Sequence, residues 1–324
     1  MNYVGFIHSG LSDNELYGGK GSKLITLANL GIKVPPGFIL NTKSYKTFIE
    51  ESKFTNKIHL TFSHSYSKDD VFNLSKTIRD YILNSDVPKN IIAELTKVYN
   101  KFKKDFGKET SFAVRSSANI EDSDQFSFAG QAESFLNNQS FQDIFLSIKK
   151  CWASLFSPQA LLYILHMRKN GKHLSLFDLK IAVIIQKMIL SECAGVLFTA
   201  NVMNNNCSQM MINSTWGLGD VITSNTINPD LIIINKLDGS IVDKVIGEKE
   251  KLSIANPNRS FTQLVEMGKD LRNKCSLNDN TLKKLYLLGM LIEKNLKTPQ
   301  DIEWAIENDE IYVLQSRSST TLKK

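Results

Sequence analysis

The chain has 324 residues, of which 42% are hydrophobic, 22% charged and 9% aromatic. That length suits about two domains with substantial cores, and the composition excludes the low-hydrophobicity class of disordered chains. Lys and Arg number 39 against 33 acids, a net charge of +6. The cations are scattered, with Lys101, Lys103 and Lys104 the densest group, so no nucleic-acid groove is expected.

Four cysteines, Cys151, Cys193, Cys207 and Cys275, are widely spaced and form no C-x-x-C pair. This argues against a zinc site or disulfide framework and for a reducing compartment. The first residues lack the charged and apolar regions of a signal peptide. The longest apolar stretch, Ile181 to Leu190, is interrupted by Gln186 and Lys187 and falls short of the about 20 residues that cross a bilayer. A cytoplasmic protein without a membrane partner is expected.

In chain order, apolar spacing predicts a helix from Lys23 to Leu30, ended by Gly31. Val34-Pro35-Pro36-Gly37 reads as a rigid extended turn into a short strand, Phe38 to Leu40. Helices follow over Asp70 to Leu83, Pro88 to Phe106 and Phe141 to Met167, the last broken near Pro158. Polar linkers fall at 53–68 and 169–178. After about residue 180 the pattern turns to strands: Ile181–Ile185, Gly195–Thr199, Met210–Asn213 and Leu231–Ile234. Asp279 to Lys294 returns to helix, and Ile302 to Leu314 reads as two strands joined at Asn308-Asp309. The expectation is an α+β protein with a mostly helical lobe at 1–178 and a sheet-rich lobe at 179–324, its ligand in the cleft between them.

Several segments carry candidate chemistry. Gly18-Gly19-Lys20-Gly21 stands ahead of the first helix, where glycines let backbone N–H groups approach a phosphate and Lys20 adds a point charge. It is not the P-loop pattern, and a flexible turn reads the same way. Ala113 to Ser117 reads as a strand end entering a hydroxyl-rich turn; Arg115 there offers a planar fork to phosphate oxygens, with Ser116 and Ser117 donating hydrogen bonds, or is a surface arginine beside a cap. Ser127 to Gln131, around Phe128, is either a lid over a nucleotide or a packed hairpin. Ile184 to Met188 reads first as a plain buried strand, and also fits an adenine slot with Gln186 or Lys187 as polar contact. Trp216-Gly217-Leu218-Gly219-Asp220 is a glycine-punctuated turn, and Trp152 and Trp304 read as core residues.

Near the C-terminus, strand alternation places Asp301 and Glu303 on one face, and Val313 and Gln315 on a common face of the partner with Arg317 beyond. A carboxylate, an amide oxygen and an arginine on one patch suit Mg²⁺ and triphosphate, since hard cations take oxygen ligands. The same residues also suit a cross-strand ion pair on a solvated sheet.

Taken together, these segments resemble the N-terminal nucleotide-binding half of the phosphoenolpyruvate synthase, pyruvate phosphate dikinase and rifampin phosphotransferase family. The blocks are GGKGSKLITLANLGIKVPPGF from Gly18, FAVRSSANIEDSDQFSFAGQAESFL from Phe112, CWASLFSPQA from Cys151, AVIIQKMILSECAGVLFTAN from Ala182, NSTWGLGD from Asn213 and PQDIEWAIENDEIYVLQSR from Pro299. The resemblance implies an ATP-grasp-like fold with Mg²⁺·ATP between two lobes. It implies that Lys20 and Arg115 bind phosphates, that Gln186 lies on the adenine-side strand, that Glu303 and Gln315 hold the metal, and that Arg317 meets the γ-phosphate. Lys20, Arg115 and Arg317 are the catalytic candidates. The family turn GLGE reads Gly217-Leu218-Gly219-Asp220 here, and Ser318-Ser319 replaces a proline turn.

The family transfers phosphate from ATP to a histidine in a G-G-x-T-S-H setting on a swivelling domain. His8, His59, His64, His166 and His173 have no such setting. The resemblance therefore implies an ATP-dependent phosphotransferase that donates to a histidine on a separate domain or partner chain, for delivery to a small-molecule acceptor. Two alternatives stay open: direct ATP-dependent activation of a small acceptor, and a non-catalytic ATP-binding module.

Overall fold

The computed structural model describes residues 2–8, 10–52, 68–118, 134–169 and 180–319. The expected polar linkers fall almost wholly outside the described residues, and the expected lid at 127–131 lies wholly outside them. The chain divides into two compact units, one of Met1–Ile25 with Pro36–Met188, the other of Thr26–Pro35 with Ile189–Lys324. Both combine helices with an antiparallel sheet, so the architecture is α+β.

The sheet of the first unit has the order β1 (Val4–Phe6), β2 (Gly37–Leu40), β5 (Ile181–Lys187), β3 (Phe112–Ala118) and β4 (Ser134–Asn138), every neighbour antiparallel. Period-2 alternation sends Phe38, Leu40, Phe112, Val114, Ala118, Ile181, Val183 and Ile185 to one face. There they join a core with Ile91, Ile148 and Trp152 from helices. The helices are α1 (Asn14–Asn29), α2 (Thr42–Glu51), α3 (Lys68–Asn84), α4 (Lys89–Phe106), α5 (Phe141–Ser154) and α6 (Pro158–Lys169). Asn41 caps α2 by accepting from Lys43 N–H, and a reciprocal Ser140–Asp143 capping box starts α5. The helical stretch expected from Phe141 is interrupted where expected: α5 ends at Ser154, and Pro158, lacking an N–H, opens α6.

β5 is the central strand of this sheet, paired with β2 and β3. The switch to strand patterning after residue 178 therefore begins inside the first unit, and the chain leaves that unit after Met188.

The second unit carries a six-stranded sheet in the order β13 (Glu310–Ser318), β12 (Gln300–Glu307), β6 (Cys193–Phe198), β7 (Gln209–Trp216), β8 (Asp230–Asn235) and β9 (Ile241–Val245). All its pairs are antiparallel. A hairpin of β10 (Lys251–Ala255) and β11 (Thr262–Glu266) lies beside the Gly217-Leu218 turn, where the Leu218 N–H donates to the Ser253 carbonyl at 2.9 Å. Short α7 (Asp220–Thr223) and α8 (Lys269–Arg272) precede the long α9 (Asp279–Leu296). Leu282, Leu285, Gly289 and Ile292 of α9 are buried. A Cβ on Gly289 would come within 2.9 Å of Leu197 and 3.0 Å of Met210, so α9 sits directly on the sheet face that also buries Trp304 and Val313.

Residues 26–35 belong with the second unit because they seal its edge. The Val313 N–H donates to the Lys33 carbonyl at 2.9 Å, and Lys33 Nζ pairs with Glu310 at 2.9 Å. Inside this unit lies a fully buried ion pair: Asp230 Oδ1 accepts from Lys249 Nζ at 2.5 Å and from the Gly247 N–H at 3.0 Å, while Oδ2 takes the Ser276 N–H and hydroxyl at 2.7 and 2.8 Å. Every oxygen of that carboxylate is thus occupied, as a charge sealed from water requires. Among the described residues no helix is long and apolar enough to cross a membrane.

Candidate functional site

In the first unit the glycine cluster does not stand ahead of the helix; it breaks it. Asp13 Oδ1 accepts from the N–H groups of Glu15 and Leu16 to start α1, but Gly18 then adopts φ 67 and ψ 174. Only glycine enters that region without cost. A fresh helical N-terminus opens there, with Lys20 in its first turn. Ser117 closes the break: its Oγ accepts from the Gly21 N–H at 2.9 Å and donates to the Tyr17 carbonyl at 2.8 Å. A remote hydroxyl thus performs the work of an N-cap.

Ser117 can do this because β3 continues through Ser116 and Ser117 to Ala118, in place of the expected hydroxyl-rich turn. The strand persists because both serines pair with β5, Ser116 opposite Val183 and Ser117 opposite Ala182. Arg115 lies opposite Ile184, and Ala113 opposite Gln186. Directly opposed residues share a face, so Arg115, Ser117 and Gln186 lie on the sheet face away from the helical core. α1 meets that same face: a Cβ on Gly21 would sit 3.1 Å from Ile39 Cδ1. Arg115 and Lys20 are half-buried and Gln186 is buried. Gly37 is required beside it, since a Cβ would sit 2.8 Å from Gln186 Cγ. Along the expected adenine slot, the Lys187 and Met188 N–H groups already donate to the Pro36 and Ser111 carbonyls at 2.8 and 2.9 Å.

In the second unit, β12 and β13 pair with Asp301 opposite Arg317 and Glu303 opposite Gln315. These four side chains share the face away from α9. One expectation fails: Val313 and Gln315 are not on a common face. A bulge between Glu303 and Trp304 makes Leu314 an extra residue, so Val313 opposes Trp304 and points into the core while Gln315 faces outward with Glu303.

Asp301 is buried, and its Oδ2 lies 3.4 Å from Arg317 Nε. Burial raises the Asp301 pKa above its ordinary value, and the Arg317 guanidinium opposes that shift. Among the described residues no group of three His, Cys, Asp or Glu side chains forms a metal cluster. A cation on this face would take the Glu303 carboxylate and the Gln315 amide oxygen and complete its shell from ligand or water oxygens, a donor set that suits a hard ion. The turn aspartate, Asp220, fastens the β10–β11 hairpin, its Oδ2 accepting from the Ser253 and Thr262 hydroxyls at 3.0 and 3.2 Å.

Sequence patterning named Ser117 as a phosphate donor and missed that its hydroxyl donates to the Tyr17 carbonyl, and it missed the burial of Asp301. Ser117 acts on a helix 100 residues away in the chain, and no local period reports that. Asp301 was visible as a facial neighbour of Glu303, but its burial against Arg317 follows from the register.

The chain matches the family model described as pyruvate phosphate dikinase, AMP/ATP-binding domain, over residues 14–324. It is 36% identical over 315 residues to a probable phosphoenolpyruvate synthase of Methanocaldococcus jannaschii, an alignment covering 96% of this chain and 26% of that protein. The phosphoenolpyruvate synthase of Pyrococcus furiosus is 33% identical over 355 aligned positions, covering 97% and 43%. The rifampicin phosphotransferase of Bacillus subtilis is 34% identical over 311 residues, covering 95% and 34%. The chain therefore spans less than half the length of each of these relatives. The family match takes in every strand but β1 and all six candidate residues, and the chain belongs to the pyruvate phosphate dikinase AMP/ATP-binding domain family.

Proposed function

We propose that the chain binds Mg²⁺·ATP in an ATP-grasp-like manner and donates phosphate to a histidine on a separate domain or partner chain, for delivery to a small-molecule acceptor. Lys20 and Arg115 would neutralise phosphate oxygens, with Gln186 beside the adenine. Glu303 and Gln315 would hold Mg²⁺, which supplies charge to draw electrons from the leaving group.

The observation that carries this reading is the register of β12 and β13, which sets Glu303 against Gln315 and Asp301 against Arg317 on one face. Asp301 restrains Arg317, so the guanidinium reaches phosphate oxygens with less ordering cost. In the dikinase pattern the β-phosphoryl passes to the histidine nitrogen, water takes the γ-phosphoryl, and AMP and inorganic phosphate leave. The family match and the relatives' names support transfer from ATP.

The test mixes the chain with a histidine domain from a relative and ATP labelled at the β-phosphate. Acid-labile label on the histidine domain, together with AMP, is expected. Neither product appearing, with both proteins folded, would sink the proposal. Arg317→Ala should abolish turnover with an unchanged circular dichroism spectrum.

A further inference from the structure

Asn213 stands on β7 in the same rung of the sheet as the proposed metal pair. Gln315 opposes Glu303, Glu303 opposes Val196, and Val196 opposes Asn213. All four face away from α9, and two strand spacings put Asn213 about 10 Å from Glu303. Asn213 is only half-buried, but its Oδ1 is sealed from solvent and, among the described residues, accepts no hydrogen bond. Its cross-strand neighbours on that face, Val196 and Leu231, are apolar, as is Met211 along the strand. The Thr215 hydroxyl, two residues on, is turned to the Trp216 carbonyl. The other side of the strand meets its own needs, the Ser214 and Ser276 hydroxyls sharing a hydrogen bond at 2.8 Å.

A sealed amide oxygen without a donor costs stability that a leucine of similar size would not. Among the described residues nothing requires a polar group at this position. Residues that weaken a fold in this way concentrate where a ligand completes them. The geometry points to Asn213 as a ligand-contacting residue whose half-buried carboxamide turns to present its oxygen to an O–H donor of the bound metal–nucleotide, supplied by a hydration water of the cation or by a ribose hydroxyl. This rests on the Mg²⁺·ATP reading above and extends its polar contacts from β12 and β13 inward to β7.

The test uses the whole chain with Asn213→Leu and Asn213→Asp, reading the unfolding temperature without ligand and nucleotide affinity by calorimetry. Asn213→Leu is expected to unfold at the same or a higher temperature than wild type while binding Mg²⁺·ATP about tenfold more weakly. Asn213→Asp, which keeps an acceptor oxygen, is expected to bind Mg²⁺·ATP within a few-fold of wild type. If the Leu penalty vanishes for ATP in EDTA, the donor is the cation's water; if it vanishes for 2′-deoxy- or 3′-deoxy-ATP, the donor is the ribose hydroxyl. Asn213→Leu binding as tightly as wild type overturns the assignment, and so does a parallel fall of stability and affinity in both variants, which is the mark of a purely structural residue. Failure of the wild-type chain to bind Mg²⁺·ATP overturns the nucleotide reading itself, and is distinguished by needing no variant.

Discussion

The Ser117 hydroxyl fills the space that a side chain on Gly18 would need, 2.5 Å from where a Cβ would stand, and uses that position to bridge the break in α1. Ser117→Ala strands the Gly21 N–H and the Tyr17 carbonyl, and should lower stability by about 1–3 kcal/mol in urea denaturation. Gly18→Ala should cost more, because it meets both the Ser117 backbone and a φ of 67. Both variants should weaken ATP binding, since the backbone around Lys20 depends on this closure. A Ser117→Ala protein with unchanged stability would remove the role assigned to the hydroxyl.

Lys249 and Asp230 should be far more sensitive singly than together. Lys249→Ala leaves a sealed carboxylate without its counter-charge, for which about 3–5 kcal/mol of destabilisation is expected. Replacing both with apolar residues of similar volume should recover most of that loss. Guanidinium denaturation of the two single variants and the double variant gives the comparison directly.

Asp301 predicts a pH signature. Its folded pKa is raised by burial above the ordinary 3.8, so between those two values the folded state holds more proton than the unfolded one. Linkage then makes this group's contribution most favourable in acid and increasingly unfavourable as pH rises through the folded value. Asn at this position carries no charge to desolvate. The unfolding temperature of Asp301→Asn relative to wild type should therefore climb as pH rises from 3.8 and level off above the folded pKa. A difference that stays constant with pH would contradict the assignment.

Two glycines of the second unit should respond very differently to alanine. On Gly195 a Cβ would run into the Asn213 backbone oxygen and stand 2.5 Å from the Trp304 ring, neither of which can yield. Gly195→Ala should lose about 3 kcal/mol or more, beyond the usual cost of overpacking. On Gly289 the nearest atoms are the flexible ends of Leu197 and Met210, and alanine is worth about 0.5–1 kcal/mol more than glycine inside a helix. Gly289→Ala should be close to neutral in the same denaturation assay.

Local period was enough to find most of the helices and the inner strands. The apolar spacing of α3, α4 and α9 and the turn at Asn308-Asp309, with φ of 53 and 60, are present within short windows. Partnership was not. Ile181–Ile185 reads as a buried strand in any sheet, and only pairing with β2 and β3 assigns it to the first. β9 is exposed at all five positions and so carries no alternation to detect. At the candidate site, residue types and approximate faces were legible, whereas the Leu314 bulge, the Ser117 bridge and the burial of Asp301 arise from contacts between distant segments.

The extra residue at Leu314 reverses the parity of β13. Before it, odd-numbered Ile311 and Val313 oppose core-facing Ile306 and Trp304; after it, odd-numbered Gln315 and Arg317 oppose Glu303 and Asp301. Loss or gain of one residue between Asn308 and Leu314 would have to be absorbed either by expelling Val313 from the core or by turning Gln315 and Arg317 inward. The strand can thus vary in composition far more freely than in length, and its residue count is itself part of the proposed binding surface.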